Sequence, residues 1–273
     1  MARAYAHAII TGGSSGIGLA CARALSQGGT ALTLMARDEA KLSAARTALA
    51  ATHPRGADAV LTLSVDVSDR AAMADAVAKA LAHHGPCDAL IASAGIAHPG
   101  HFADIPPDVF ERSMAINYFG VLNVVRPVVV SMRAQGQGGD IALISSGAAF
   151  IGIYGYSAYA PTKFALRGLG EVLRRELKAH AIRVCVAYPP DTDTPQLAAE
   201  QALKPKETQA ITASAGVWSA ERVADAILTG MARGRAQVTP GWELSALSRI
   251  HSVMAPLLNA HFDRIGAKAR RKP

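Results

Sequence analysis

Tyr159 and Lys163 fall one helical turn apart in Tyr159-Ala160-Pro161-Thr162-Lys163, and Ser146 lies upstream in Ser145-Ser146-Gly147. A phenol, an ammonium and a hydroxyl converging on one point suit a particular task. They can hold a carbonyl oxygen as it turns negative under hydride attack, and give it a proton. A free phenol titrates near about 10 and is a sluggish base at neutral pH. A Lys163 ammonium beside it is expected to stabilise the phenolate and lower that pKa, so that Tyr159 works in both directions, while Ser146 orients the substrate oxygen. Alone, such a pair is by default a half-buried aromatic next to a surface charge; its surroundings decide.

These side chains meet only if a strand ends near Ser146 and a helix shows Tyr159 and Lys163 on one face. Short apolar runs do alternate with helical patterns: strand 6–10, helix 17–27, strand 31–35, helix 39–51, strand 60–64, helix 71–83 and strand 89–92. The rhythm resumes with a long helix over 109–133, a strand at 141–144, a helix over 157–180 and a strand at 183–187. A helix at 220–232 and a strand at 236–238 complete it. This alternation predicts one α/β domain, a Rossmann-type doubly wound parallel sheet of seven strands with helices on both faces. At 273 residues, 50% of them hydrophobic and 18% charged, the chain is long enough for one such core, and no second domain is expected.

The first strand runs into Thr11-Gly12-Gly13-Ser14-Ser15-Gly16-Ile17-Gly18 and then an apolar helix. Glycines at 12, 16 and 18 permit a tight turn, a close backbone approach to a pyrophosphate and close packing of helix on strand, with the helix N-terminus facing the anion. A glycine run by itself signals no more than a turn; between strand one and helix one it signals a dinucleotide. Gly12, Ser14, Ser15, Gly16, Ile17 and Gly18 are therefore candidate cofactor residues. The end of strand two selects the nucleotide, because an acid there would bind a ribose 2′-hydroxyl and repel a 2′-phosphate. That position holds Ala36, followed by Arg37, so NADPH/NADP+ is expected. Lys41 either adds a second charge to the phosphate or lies on a solvated helix face, and Asp38 reads as a helix N-cap. Asp66 and Val67, past strand three, either meet the adenine edge or, for Asp66, cap a loop.

Two stretches fall outside this rhythm. Residues 189–217 are too long for an ordinary connection and read as a substrate lid. After Trp242, Leu247, Ile250, Met254, Leu257, Leu258, Phe262 and Ile265 recur at helical spacing, and Pro256 is expected to kink or split that helix. The chain thus divides into an NADPH-binding domain over 1–242, lid included, and an amphipathic basic segment over 243–273. Arg264, Lys268, Arg270, Arg271 and Lys272 concentrate part of the formal +7 charge there. That segment reads as a solvated terminus, as a surface packed on its own domain or a second subunit, or as an interfacial helix on anionic lipid. No aromatics interleave with the basic residues, so nucleic acid is not an expected partner. Cys21, Cys87 and Cys185 lie far apart with no C-x-x-C pair, which points to neither a metal site nor a disulfide framework. The strand at 6–10 leaves no room for a signal peptide, and no apolar run is expected to reach the roughly 18 residues of a membrane span. A cytoplasmic protein, at most peripheral on the cytoplasmic membrane face, is expected.

The T-G-x-x-x-G-x-G loop and the S…Y-x-x-x-K set, in this order, resemble the short-chain dehydrogenase/reductase family from about residue 6 to 238. That resemblance implies that Asn117, in Ala115-Ile116-Asn117-Tyr118, joins Ser146, Tyr159 and Lys163 in the catalytic set by holding Lys163 through an ordered water. Otherwise Asn117 is simply a polar residue in a long helix. The resemblance also assigns Ser93, Ala94, Gly95, Tyr159, Lys163, Pro189, Thr192 and Thr194 to the cofactor. It implies a homo-oligomer paired through the helices around 109–133 and 157–180. Two departures stand out. Ala92-Ser93-Ala94-Gly95 replaces the family's Asn-Asn-Ala-Gly, although Ser93 still offers a donor. No basic residue sits in the glycine loop, which leaves Arg37 to select NADPH.

A narrower likeness lies in Ala187-Tyr188-Pro189-Pro190-Asp191-Thr192-Asp193-Thr194-Pro195, which replaces the family's usual Pro-Gly. With Lys204-Pro205 and Glu207-Thr208 it is similar to members that reduce the 3-keto group of a long-chain 2-amino-1-hydroxy ketone in sphingoid-base synthesis. For such a keto-amine lipid, Asp191 or Asp193 would pair with the substrate ammonium; otherwise they cap the loop. The alternative within the family is another lipophilic ketone or alcohol, such as a steroid, a retinoid or an N-acylated keto-sphingolipid. The alternative outside it is a non-catalytic NADPH-binding sensor.

Overall fold

The computed structural model describes residues 4–213 and 216–270. Strands β1 (His7–Thr11), β2 (Ala31–Ala36), β3 (Val60–Ser64), β4 (Ala89–Ala92), β5 (Gly139–Ile144) and β6 (Ile182–Ala187) carry the sheet. Two short strands, β7 (Thr192–Asp193) and β8 (Trp218–Ser219), pair apart from it, and β9 (Gln237–Val238) closes its edge. The seven-stranded order is β3-β2-β1-β4-β5-β6-β9, and every pairing is parallel. The expected Rossmann-type sheet is therefore present.

Its strands read as unbroken apolar runs because both faces are covered, and alternate side chains go to opposite layers. Ile9 packs toward α3 (Arg70–His84), α5 (Gly120–Gln135) and α6 (Ala160–Glu176). Its neighbours Ala8 and Ile10 pack toward α1 (Gly16–Gln27), α2 (Glu39–Ala50) and α9 (Ala220–Ala232). From β1 the chain steps outward to β2 and β3, then returns to β4 on the other side of β1. The crevice at that reversal, outside the strands' carboxyl ends, is where such sheets hold ligands.

Three elements differ from the sequence reading. The helix expected over 109–133 is α4 (Pro107–Met114), a π-helical turn (Ala115–Phe119) and α5, and the wider turn brings the fully buried Asn117 against the loop after β4. Taken together, Pro107–Gln135 is long and apolar enough to cross a membrane, contrary to the expectation that no segment would be. Its Val121, Val124, Val125, Val128 and Met132 pack in the core beneath the sheet. Second, α6 begins at Ala160 rather than near 157, because Pro161 has no N–H and fits only in a first turn. Tyr159 thus occupies the N-cap position. Third, Pro256 does not split the terminal helix: α10 runs unbroken from Trp242 to Arg270. It is anchored on both sides of the proline, with Leu244 and Leu247 against the domain and Gly266 beside Glu207 of α8 (Lys206–Thr212).

The lid over 189–217 has internal structure, namely β7, α7 (Pro195–Gln201) and α8, and residues 214 and 215 lie outside the described residues. Arg271 and Lys272 of the basic tail also lie outside them.

Candidate active site

The glycine turn is fixed by backbone contact. Gly12 has φ +67° and donates its N–H to the Met35 carbonyl at 2.8 Å, and a β-carbon on Gly18 would sit 2.4 Å from the Gly12 carbonyl oxygen. No larger residue fits either place. Ser15 caps α1 without a side-chain hydrogen bond, so the first-turn N–H groups keep their donors for an anion. This cradle fits the pyrophosphate of a dinucleotide, and Gly12, Ser15, Gly16 and Ile17 line a cavity at the carboxyl ends of the strands. Ser14 and Gly18 lie outside that wall.

Across the reversal, Ser93, Ala94 and Gly95 line the same cavity, and Ala94 N–H donates to Thr11 Oγ1 at 3.2 Å. A β-carbon at Gly95 would stand 3.3 Å from Asn117 Oδ1 and 3.6 Å from Lys163 Nζ. Asn117 does not bond directly to Lys163. Its Oδ1 accepts from Ile96 N–H at 2.8 Å, and its Nδ2 donates to the Ile96 carbonyl at 2.9 Å and to Thr162 Oγ1 at 3.0 Å. Asn117 therefore ties the β4 loop to the first turn of α6, and reaches Tyr159 only through Thr162, which donates to the Tyr159 carbonyl at 2.7 Å.

Ser146, Tyr159 and Lys163 do converge. Ser146 follows β5, with its hydroxyl accepting from Ala148 N–H at 3.2 Å and lying near enough to the Tyr159 phenol to favour its ionisation. Lys163 is buried, its Nζ 5.4 Å from the Tyr159 ring centre and donating to the Ile144 carbonyl at 3.0 Å. Burial lowers its pKa to about 8, against the opposing charge of Glu200. The expected lowering of the Tyr159 pKa is corrected. Burial first, then the carboxylates of Glu200 and Asp191, push the phenol above its ordinary value, and the Ser146 hydroxyl only partly offsets them. Tyr159 thus stays a protonated phenol at neutral pH.

The residues expected to select the nucleotide lie beyond the cavity wall, past β2 and β3. Arg37 Nη1 is 3.8 Å from Asp66 Oδ2, and Lys41 Nζ is 3.4 Å from Asp38 Oδ2. Both pairs are exposed and weak, so both cations can exchange a carboxylate for a phosphate. Asp38 is the expected N-cap of α2, accepting from Lys41 N–H at 3.0 Å. Asp66 caps its loop, accepting from the N–H and hydroxyl of Ser68 at 2.9 and 2.7 Å. Burial works against its ionisation, but those bonds and Arg37 outweigh it and hold the carboxyl below its ordinary range. The Val67 carbonyl accepts from Asn123 Nδ2 at 2.8 Å.

Pro189, Thr192 and Thr194 all line the cavity, but each is engaged in local structure. The Pro189 carbonyl accepts from Gly147 N–H at 3.2 Å, Thr192 Oγ1 donates to the Pro190 carbonyl at 2.8 Å, and Thr194 Oγ1 accepts from Leu197 N–H to cap α7. Asp191 lines the cavity and is paired at 3.3 Å with Lys204, whose side chain is wholly buried. Asp193 is exposed and outside the cavity wall. Sequence reading missed Glu200 and Tyr156. Glu200 is 7% exposed, accepts from the Tyr156 hydroxyl at 3.0 Å and lines the cavity. In Leu-Ala-Ala-Glu-Gln it looked like any solvated helix acid, and only the folding of α7 over the crevice turns it inward.

One cavity of about 560 Å³ thus joins the glycine turn, the Ser146–Tyr159–Lys163 group, the lid and α10. Such an arrangement defines a nicotinamide-dependent oxidoreductase. The chain belongs to the short chain dehydrogenase family, whose model matches residues 6–205. It is 40% identical over 253 residues to the 3-dehydrosphinganine reductase of Danio rerio, a match covering 92% of this chain and 76% of that one. It is 39% identical over 253 residues to the 3-ketodihydrosphingosine reductase of Bos taurus, with the same coverage of 92% and 76%. Among solved structures it superposes on levodione reductase with TM-score 0.75 at 27% identity, covering 85% of this chain and 94% of that one. It also superposes on the 3-ketoacyl-(acyl-carrier-protein) reductase of Brucella melitensis complexed with NADH, with TM-score 0.74 at 25% identity and the same 85% and 94% coverage.

Proposed function

We propose that this protein reduces the 3-keto group of 3-ketodihydrosphingosine to dihydrosphingosine, with NADPH as donor, in sphingolipid synthesis. The observation that carries the reading is the single cavity in which Ser146, Tyr159 and Lys163 face both the glycine turn and the apolar side chains Ile211, Leu244, Leu247 and Phe262. The relatives' names supply the substrate. When bound, the nicotinamide supplies the hydride. Ser146 and the Tyr159 hydroxyl hold the carbonyl oxygen, and the phenol, kept protonated by burial and nearby carboxylates, gives that oxygen its proton. Lys163, charged below about 8, steadies the phenolate left behind. Arg37 and Lys41 support NADPH over NADH. Turnover of 3-ketodihydrosphingosine with each nucleotide, against a panel of unrelated ketones, tests the assignment. Preferential NADPH consumption with the keto-amine is expected, and turnover confined to other ketones overturns it.

The protein is further inferred to be cytoplasmic and peripheral to the membrane that holds its substrate. The apolar stripe of α10 is divided: Leu247 and Phe262 line the cavity, Met254, Leu258 and Ile265 are half-buried, and Ile250, Val253 and Leu257 are exposed. The exposed set, with Arg249 and Arg264 on the same helix, supports contact with anionic lipid. Flotation on phosphatidylserine liposomes is expected to fall when Val253 and Leu257 become Asp; unchanged flotation refutes it. A homo-oligomer is supported by the exposed Val130 of α5 with Phe164 and Val172 of α6.

A further inference from the structure

We infer that Glu200 is the subsite for the substrate's ammonium, and that it makes the enzyme select free 2-amino ketones over their N-acylated forms. The inference rests on the substrate reading above and moves the ammonium contact away from Asp191 and Asp193. Asp191 already faces the buried Lys204, and Asp193 lies outside the cavity.

Glu200 is different in kind. Its Oε2 accepts from the Tyr156 hydroxyl at 3.0 Å and its Oε1 from Gln196 Nε2 at 2.9 Å, and both donors are neutral. Among the described residues no Lys, Arg or His stands in an ion pair with it. Lys163 feels its charge, but the Lys163 ammonium is bonded to the Ile144 carbonyl. A carboxylate out of water with no counter-ion is costly to keep. Each of its oxygens accepts one hydrogen bond and has room for another.

Its position gives that charge a use. The Tyr156 ring that reaches Glu200 lies 5.5 Å, centre to centre, from the Tyr159 ring. Glu200 and Tyr159 line the same cavity, so a cation on the carbon next to the reacting carbonyl can turn toward the carboxylate. An ammonium offers three donors and the missing charge, in a charge-assisted contact. An amide at the same carbon offers one neutral donor and leaves the carboxylate bare.

The test compares wild type and Glu200→Gln on two ketones of equal chain length, 3-ketodihydrosphingosine and its N-acetyl derivative. Wild type is expected to favour the amine. In Glu200→Gln, kcat/KM for the amine should fall by at least about 10-fold, mainly through KM, as for a lost charged hydrogen bond. The N-acetyl ketone should lose clearly less than the amine, because whatever Glu200 does to Tyr159 and Lys163 falls on both ketones alike; an unchanged melting temperature reports that the variant is folded. Binding of dihydrosphingosine, followed by fluorescence of Trp218 in the cavity wall, should weaken in parallel. Equal losses on both ketones, or no loss on the amine, overturn the Glu200 assignment and leave the substrate reading intact. Wild type that turns over neither ketone while reducing others removes the substrate reading, and this inference with it.

Discussion

The two walls of the cavity are built by opposite means. The nucleotide wall centres on one local stretch, Thr11 to Gly18, where a β-carbon on Gly12 or Gly18 would strike backbone. The lid wall draws on segments far apart in the chain: the loop around Tyr154 and Tyr156, α7, α8 and the start of α10. These are pinned by side chains. Thr208 Oγ1 donates to the Tyr154 carbonyl at 2.8 Å, Lys204 meets Asp191, and Arg270 lies 3.7 Å from Glu207. A wall made of backbone turns grips a constant ligand part. A wall made of side chains can be re-specified by a few substitutions, and it is there that substrate choice is proposed to lie.

Changes at the junction of the walls should cost most. Tyr159→Phe removes the proton donor and should lower kcat by about 10²–10⁴-fold, while nucleotide binding measured by calorimetry stays within a few-fold. Equal loss of binding would mean that the phenol serves the nucleotide wall instead.

Acidity at that junction gives the next effect. Lys163 is an ammonium below about 8 and a neutral amine above it, and the Tyr159 phenol stays protonated over the same range. In the reductive direction kcat/KM should be flat up to that point and then fall by about tenfold per pH unit. A profile level to pH 10 would show that the Lys163 charge is not needed.

On the nucleotide wall, Arg37→Ala should raise KM for NADPH by roughly tenfold, as for one charged contact, and leave NADH unchanged. An equal rise for both would move phosphate selection elsewhere. On the lid wall, Thr208→Val should cost about 1 kcal/mol of thermal stability and raise KM for the ketone only. If KM for NADPH rises as well, the two walls are not independent.

The doubly wound sheet was legible in the chain, because alternating apolar runs and helical patterns allow few other arrangements. The glycine turn and the Tyr159–Lys163 pair were legible because each is a local constraint. The π turn at Asn117 was not, since its sequence continues a helical pattern and the deviation answers to the Ile96 backbone, distant in sequence. Nor was the survival of α10 across Pro256, where packing on α8 and the cavity outweighs one lost hydrogen bond.

Sequence by itself determined which groups are candidates for the chemistry and which fold carries them, because those depend on residue type and on spacing along the chain. Tertiary structure alone decided how the groups are charged. The direction of the Tyr159 shift, the pairing of Asp191 with Lys204 and the turning inward of Glu200 depend on burial and on neighbours distant in the chain. Those energies arise from distance and desolvation, which exist only once the lid has folded over the crevice.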